Sequence, residues 1–297
     1  MTLGRDQGLW RISPNLSGLI EGDGIAMTNA PSSITGNGSL AYTGGDFIYV
    51  LCGSNSNILL RYSMSGNIWT TMSNAGMAIV GLGALVYTGG DFLYAATGNT
   101  LTGFLRYSIS GNSWTAMTNA PVNISNGSLA FTGGDSIFLL NTWNSFLRYS
   151  IGGNVWTAIT GPGVDITGFG ALVYTGGDFL YAATNDTLSG FLRYSIISNN
   201  WTTMAEIPLA FPNIISLAYT GGNFIYAVTN AILLRYSISG NNWVIIGTNF
   251  PRLTRSLTYT GINFLYGSQG NSTNGFWRIP LVVPVTPGVG NWQAWMR

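Results

Sequence analysis

One arginine recurs at nearly constant spacing along the 297-residue chain, and the first four steps between copies alternate between 45 and 42 residues. The repeated residues are Arg61, Arg106, Arg148, Arg193, Arg235 and Arg278. A ring of guanidinium groups could bind an anion or line a channel. Binding sites usually break repeat symmetry, whereas this residue recurs in every repeat. We therefore predict structural arginines that are mostly buried and bonded within the protein.

An aspartate recurs in the phrase T-G-G-D. Its copies are Asp46, Asp91, Asp135 and Asp178, and Asn223 and Asn263 stand at the same position in the last two repeats. Such a side chain can accept hydrogen bonds from turn N–H groups. A tight calcium site needs several carboxylates, and one per turn is too few. We predict a structural role for these residues and no metal site.

The chain offers little for catalysis. It contains no histidine, and Glu21 and Glu206 are its only glutamates. A Ser-His-Asp triad and a histidine-ligated metal are therefore excluded. No irregular insertion holds two acids together, as a glycosidase would need. We predict that the protein is not an enzyme and uses no cofactor.

Composition narrows the classes of partner. Charged residues make up only 7% of the chain, and the formal net charge is +1. Nucleic-acid binding selects basic patches, so nucleic acid is an unsuitable partner. No apolar run reaches the 18 or so residues that suggest a membrane-spanning helix. The sequence predicts an uncharged polar surface and no membrane span.

The recurring residues belong to a repeat of four short strands. One phrase, such as SLAYTGGDFIYVL (39–51), supplies two strands around a Gly-Gly hairpin, and a second, such as LLRYSMSGNIWTTM (59–72), supplies two more. The second strand is apolar on both faces and should be buried on both. The fourth strand carries a tryptophan, at Trp69, Trp114, Trp156, Trp201, Trp243 and Trp292. Four-stranded units of this length are typical of propeller blades.

The repeat resembles the kelch family. Tyr107, Asn112 and Trp114 stand at the spacing of that family's Y…N-x-W pattern, and the resemblance covers nearly the whole chain. The family's glycine pair after the second strand is mostly missing, so the chain looks like a diverged relative. The resemblance implies an all-β fold, a kelch-like β-propeller, and carries little information about function.

The number of blades follows from a longer period. Arg61 and Arg148 are 87 residues apart, and GLGALVYTGGDFLYAAT (81–97) is nearly repeated at 168–184. The duplicated unit is therefore a pair of blades, and three pairs predict six blades in which alternate blades superpose best. Seven blades with one incomplete is the alternative.

We divide the chain into three parts. They are an N-terminal segment (1–38) whose strands could close the ring, a six-bladed propeller (39–280), and a proline-rich C-terminal tail (281–297). The tail contains Trp292 and Trp295 and is too apolar to be left in water. We predict that at least one of the two ends contacts a neighbouring subunit, so that the protein forms a homo-oligomer or a filament.

The loops give the best functional signal. The turns on one rim of the propeller are short and constant, whereas the loops on the other rim vary. A rigid scaffold with one variable face is a common way to build a binding surface. Trp143, between Asn141 and Asn144, suits sugar stacking, and Asp186 lies in another variable loop. The alternative is that Trp143 covers the edge of a blade.

Two classes of function remain. The first is a non-enzymatic structural or adhesive protein of a cell surface, an extracellular assembly or a virion, whose partners are proteins, above all other copies of itself. The alternative is an extracellular carbohydrate-binding lectin that uses the variable loop face. The chain begins with methionine and shows no signal-peptide pattern, which fits a virion protein released by lysis and is explained equally well by removal of a leader.

Overall fold

The computed structural model describes residues 24–34, 39–53, 56–79, 84–97, 102–166, 170–184, 190–209, 214–229, 232–247, 254–261, 263–269 and 274–281. These residues form 24 strands in six antiparallel sheets of four strands each. The inner strand of each sheet contacts the inner strand of the next, and the sixth contacts the first. The predicted six-bladed, all-β propeller is confirmed, and the described residues show no seventh blade.

Five blades are each built from four consecutive strands, ordered from the axis outward. Blade 1 contains β2 (Ser39–Tyr42), β3 (Phe47–Leu51), β4 (Leu59–Ser63) and β5 (Ile68–Thr71). Blade 2 contains β6 (Ala84–Tyr87), β7 (Phe92–Ala96), β8 (Phe104–Ser108) and β9 (Ser113–Ala116). Blade 3 contains β10 (Ser128–Phe131), β11 (Ser136–Asn141), β12 (Ser145–Ser150) and β13 (Val155–Ala158). Blade 4 contains β14 (Ala171–Tyr174), β15 (Phe179–Ala183), β16 (Phe191–Ser195) and β17 (Asn200–Thr203). Blade 5 contains β18 (Ser216–Tyr219), β19 (Phe224–Val228), β20 (Leu233–Ser237) and β21 (Asn242–Gly247).

Blade 6 combines the two ends of the described chain. Its inner strands are β22 (Thr254–Tyr259), β23 (Phe264–Gln269) and β24 (Phe276–Pro280), and its outer strand is β1 (Ile25–Ala26). β1 runs antiparallel to β24, with Ile25 opposite Arg278. The N-terminal segment therefore occupies the outer-strand position of blade 6. Trp292, which the repeat pattern assigned to a fourth strand, lies outside the described residues.

The hairpin between the first two strands depends on its two glycines. In blade 1, Gly44 and Gly45 have φ values of 85° and 61°. L-residues with side chains avoid this left-handed region, whereas glycine enters it without steric cost. The T-G-G phrase therefore turns the chain tightly at one rim of the propeller.

The core lies between neighbouring blades. Tyr49 and Leu51 of blade 1 pack against Leu93 and Tyr107 of blade 2, and all four are buried. The rings of Tyr49 and Tyr107 lie 6.1 Å apart between centroids. Each second strand is thus covered on both faces by apolar contacts, as its lack of polar alternation predicted.

The Y…N-x-W residues of a blade clamp it to the blade before it. Asn112 has a φ of 44°, and its Oδ1 accepts hydrogen bonds from the Tyr107 hydroxyl (2.7 Å) and the Ser73 N–H (2.9 Å). Trp114 Nε1 donates to the carbonyl of the same Ser73 at 2.8 Å. The side chains of one blade thereby hold both backbone groups of a residue that follows the outer strand of the previous blade.

The same clamp joins five of the six neighbouring pairs of blades. Its asparagines are Asn67, Asn112, Asn154, Asn199 and Asn241, and they hold Thr28, Ser73, Thr118, Thr160 and Ala205 in that order. In blade 6, Ile279 takes the tyrosine position, and the outer strand β1 carries only Ile25 and Ala26, with no tryptophan. The junction of blades 5 and 6 is therefore built differently.

The hydrogen bonds between inner strands near the axis match the predicted pairing of blades only in part. Ser39 Oγ accepts a hydrogen bond from the Leu85 N–H at 2.9 Å, linking blade 1 to blade 2. Blades 2 and 4 carry alanine at this position, Ala84 and Ala171, whereas Ser256 of blade 6 again accepts such a bond. The closer superposition of alternate blades stays a prediction.

Candidate functional site

The repeated arginines lie on the third strands and cover phenylalanine rings. The Cζ atoms of Arg61, Arg106 and Arg193 stand 4.5, 4.5 and 4.4 Å from the ring centroids of the phenylalanines that begin the second strands. Arg235 and Arg278 do the same at 4.8 and 4.6 Å. These five side chains are half-buried.

Blade 3 departs from this arrangement. It carries Ser136 where the other blades carry phenylalanine, and Arg148 is exposed. The prediction of mostly buried arginines is therefore wrong for Arg148, which lacks a ring to cover, whereas the other five lie half-buried over their phenylalanines. Arg61 also lies beside the Tyr49 hydroxyl. Burial raises the pKa of Tyr49, and the hydrogen bond and positive charge of Arg61 oppose that rise.

The repeated aspartates tie the two turns of each blade together. Asp91 accepts hydrogen bonds from the Ser108 hydroxyl (2.5 Å) and the Ser110 N–H (2.6 Å). The same pair of bonds recurs at Asp46, Asp135 and Asp178. In blade 5 the side chain of Asn223 makes the equivalent contacts with Ser237 and Ser239. These bonds to the serine hydroxyl and the turn N–H lower the pKa of Asp91.

Reactive groups are sparse in the described part of the chain. Those residues include no group of three or more His, Cys, Asp or Glu side chains that could hold a metal ion. They also include no helix long and apolar enough to cross a membrane. Cys52 is buried, and burial raises the pKa of its thiol to about 12. Because the thiolate is the nucleophile, Cys52 is unreactive at neutral pH in the folded protein.

The variable rim presents one exposed tryptophan. Thr142, Trp143 and Asn144 form the three-residue turn between β11 and β12, and the φ values of Trp143 and Asn144 are 61° and 56°. Positive φ at turn residues usually selects glycine or asparagine, because larger side chains are strained there. Trp143 adopts this conformation while 80% of its side-chain surface is exposed to solvent. The tight turn thus holds a large ring away from the fold.

The two flanking amides fix neighbouring loops. Asn141 accepts a hydrogen bond from the Ser125 N–H (2.8 Å) and donates one to the Asn123 carbonyl (2.9 Å). Asn144 Oδ1 accepts one from the Gly163 N–H at 2.7 Å. Both amides thus hold neighbouring loops, and their part in binding a ligand stays a prediction.

A cavity of about 430 Å³ lies beside the tryptophan. Its walls come from uncharged residues, namely Val122, Asn123, Ser125, Asn141, Thr142 and Ser145, together with Trp143 itself. The Thr142 hydroxyl in this wall is buried and has no hydrogen-bond partner. The structure therefore brings Trp143 together with an uncharged cavity, lined by hydroxyl, amide and apolar groups, that the sequence did not reveal.

Sequence reasoning also missed the axial channel. A cavity of about 290 Å³ on the axis is lined by the inner strands of all six blades. Half-buried aromatic residues surround one end of it, and they are Tyr42, Tyr87, Phe131, Tyr174, Tyr219 and Tyr259. The Tyr87 hydroxyl donates to the Gly90 carbonyl at 3.0 Å. The aromatic residue that precedes each T-G in the sequence could have indicated this ring of side chains.

Three residues predicted from the sequence to form sites lie outside the described residues. They are Asp186 of the variable rim and the tail residues Trp292 and Trp295.

The fold and the site together define a six-bladed β-propeller with one rim of uniform turns and one rim of varied loops. No family model and no curated protein matches the chain. Many solved structures are similar. One is a structural genomics protein of unknown function from Bacteroides thetaiotaomicron, with a TM-score of 0.67 and 13% sequence identity over 88% of this chain and 73% of that chain. At this identity the likeness establishes the propeller fold alone.

Proposed function

We propose that the protein is a non-enzymatic structural or adhesive protein of an extracellular surface or a virion, built on a kelch-like repeat. Its propeller serves as a rigid scaffold that assembles with other copies of itself or with other proteins. The observation that carries this proposal is the pairing of β1 with β24. Because the N-terminal strand completes blade 6, the 16 residues from 282 to 297 are not needed to close the ring.

The repeated polar side chains support the same proposal. Aspartate, tyrosine, asparagine and tryptophan recur in the blades, and each makes hydrogen bonds inside the scaffold. A side chain that holds the fold in every blade is poorly suited to contact a substrate. Recognition then falls to features that occur once.

One such feature is the outer strand of blade 5. β21 has six residues, whereas the outer strands of blades 1 to 4 have four, and it exposes Val244 and Ile245. Blades 1 to 4 carry threonine or alanine at these positions. An exposed apolar edge strand invites pairing with another chain. We infer that β21 is a surface through which the propeller assembles.

Deletion of residues 282–297 tests the assembly. We expect the full chain to have a solution mass of more than one subunit and the shortened chain to stay folded with a lower mass, because the apolar tail bridges subunits. Sedimentation gives the mass and circular dichroism monitors the fold. The Trp292→Ala/Trp295→Ala double variant, which keeps the tail length, should lose mass as well.

A second pair of substitutions tests β21 separately. Val244→Thr with Ile245→Thr introduces the residues that blades 1 and 4 carry and should also lower the assembled mass. A full chain that remains a monomer at high concentration would contradict the proposed assembly. If the mass falls with the tail variants but not with the β21 variant, assembly stands and β21 is excluded.

Carbohydrate binding at the variable rim is the second candidate function. The exposed indole of Trp143 beside an uncharged cavity lined by hydroxyl, amide and apolar groups favours it. An adhesive protein can also bind sugars, so the two candidates are compatible.

A further inference from the structure

Trp143 breaks the sixfold repeat in a way that the fold does not require. The other described tryptophans are half-buried or buried, and those of the Y…N-x-W clamps donate to backbone carbonyls. Trp143 instead projects from a hairpin with 80% of its surface in water. Leaving a large apolar ring in water forgoes the free energy that burial would provide. A ring in this position is suited to a partner outside the fold.

The ring stands on a rigid base. Its turn has two left-handed residues, and the flanking Asn141 and Asn144 anchor the loops around Asn123 and Gly163 by three hydrogen bonds of 2.7 to 2.9 Å. A left-handed conformation at a bulky residue is strained and persists only where its surroundings enforce it. A site that is already ordered loses less conformational entropy when a ligand binds.

The chemistry of the cavity beside the ring selects the ligand. Its lining combines hydroxyl and amide groups with one aromatic face and includes no charged side chain. The Thr142 hydroxyl in its wall is more than nine-tenths buried and lacks a partner. A sugar combines an apolar C–H face with hydroxyl groups, so it can stack on an indole and hydrogen-bond to hydroxyls and amides. A sialylated or sulfated sugar would find no positive charge among these residues.

We propose that the Trp143 hairpin and the adjoining cavity form one glycan-binding site per chain, which takes a neutral pyranose stacked on the indole. The proposal deepens the adhesive function and rests on it, because a single shallow site binds weakly. Linking several copies raises avidity without new contacts, by 10²- to 10⁴-fold in typical cases. Assembly would therefore turn a weak sugar site into effective adhesion.

Position 143 calls for a careful choice of variant. Alanine is strained at a φ of +61°, whereas glycine accepts that conformation, so Trp143→Gly removes the ring and keeps the turn. Trp143→Tyr keeps an aromatic face. Ile197→Ser removes an exposed apolar side chain from the T-G-G rim and is the matched control.

The test has two readouts on the same preparations. An array of immobilised neutral and sialylated oligosaccharides measures binding, and saturation-transfer NMR with methyl glycosides of galactose, mannose and N-acetylglucosamine measures contact with the ring. We expect the wild type to bind neutral sugars, Trp143→Gly to weaken binding about tenfold or more, and Trp143→Tyr to retain part of it. Ile197→Ser should bind like the wild type.

The outcomes separate the sugar site from the assembly. The assembled mass of each variant in solution is also measured by sedimentation, and Trp143→Gly should keep the wild-type mass. Absence of binding to any neutral sugar, preference for sialylated sugars, or undiminished binding by Trp143→Gly would each overturn the glycan site. If Trp143→Gly instead lowers the assembled mass, the ring is a protein contact and the proposal is wrong. A monomeric wild type that binds neutral sugars through Trp143 would refute assembly and leave the site intact.

Discussion

At the scale of single residues, one side chain can stabilise every blade without being buried. The repeated aspartates lie near the solvent, yet Asp91, Asp135 and Asp178 each accept bonds from a serine hydroxyl and from a turn N–H. These bonds favour the charged form, because a carboxylate accepts hydrogen bonds better than a carboxylic acid does. The turn chemistry therefore couples folding to proton binding.

Acid stability should reveal this coupling. The pKa of Asp91, Asp135 and Asp178 is lowered, first by the serine hydroxyl and then by the turn N–H, from an ordinary value of 3.8. A group with a lowered folded pKa adds stability above its unfolded pKa and loses it as pH falls through the folded pKa. We expect the urea midpoint to be nearly constant from pH 7 to 5 and to fall below about pH 4.

Substitution should flatten that profile. Asn223 shows that asparagine can make the same contacts without titrating. The triple variant with asparagine at positions 91, 135 and 178 should lose less stability between pH 5 and pH 3 than the wild type. Asp165→Asn, at an exposed loop position, is the control. Equal acid sensitivity of the wild type and the triple variant would show that these carboxylates are not the source.

At the scale of elements, the outer strands are held by side chains from the next blade. Asn112 lies in the tight turn before β9, and its left-handed backbone aims the amide at Ser73. Two properties of asparagine are used together: it tolerates positive φ, and it has a side-chain carbonyl. The S-G-N-x-W phrase is therefore both a turn signal and a tertiary contact.

A series of substitutions at Asn112 separates these two properties. Asn112→Gly keeps the positive φ and loses the two hydrogen bonds, whereas Asn112→Ala loses both properties. Asn112→Asp keeps an acceptor. We expect the glycine variant to lower the free energy of unfolding by about 1–3 kcal/mol, the alanine variant to lower it further because of backbone strain, and the aspartate variant to be the mildest. Urea denaturation measures the order, and a glycine variant as stable as the wild type would show that the clamp is not stabilising.

At the scale of the whole molecule, the sequence predicts the regular parts better than the unique ones. The strand order and the six blades follow from the repeat, since every blade shows the same hydrophobic pattern. The exposure of Arg148 was also predictable from the sequence, because Ser136 replaces the phenylalanine that lies against the arginine in the other blades. The role of Asn141 was not, because its partners Asn123 and Ser125 lie 16 or more residues away and approach it only through the fold.

Closure of the ring is the property that belongs to the molecule as a whole. β1 contributes only two residues, but its chain continues to Thr28, which blade 1 holds through Asn67 (2.9 Å) and Trp69 (2.7 Å). Further along, Ala30 donates a backbone hydrogen bond to Asn274 at 2.8 Å and is buried. One short segment thus completes blade 6 and fastens it to blade 1, at the side away from the unclamped junction with blade 5.

Removing that segment should open the ring at this point. Deletion of residues 1–31 takes away β1, the Thr28 clamp and the contacts of Ala30, so blade 6 would lose its fastening to blade 1 and expose the edge of β24. We expect hydrogen exchange to accelerate first in β22, β23 and β24, thermal unfolding to begin at a lower temperature, and aggregation to increase, because an exposed strand edge associates with other chains. Deletion of residues 282–297 is the matched control and should leave the exchange of blade 6 unchanged. Trp69→Phe, which keeps the ring and removes its hydrogen bond to Thr28, should show the same local acceleration in milder form. Exchange that accelerates evenly over all six blades would mean that the propeller unfolds as one unit and that β1 is not a separate closing element.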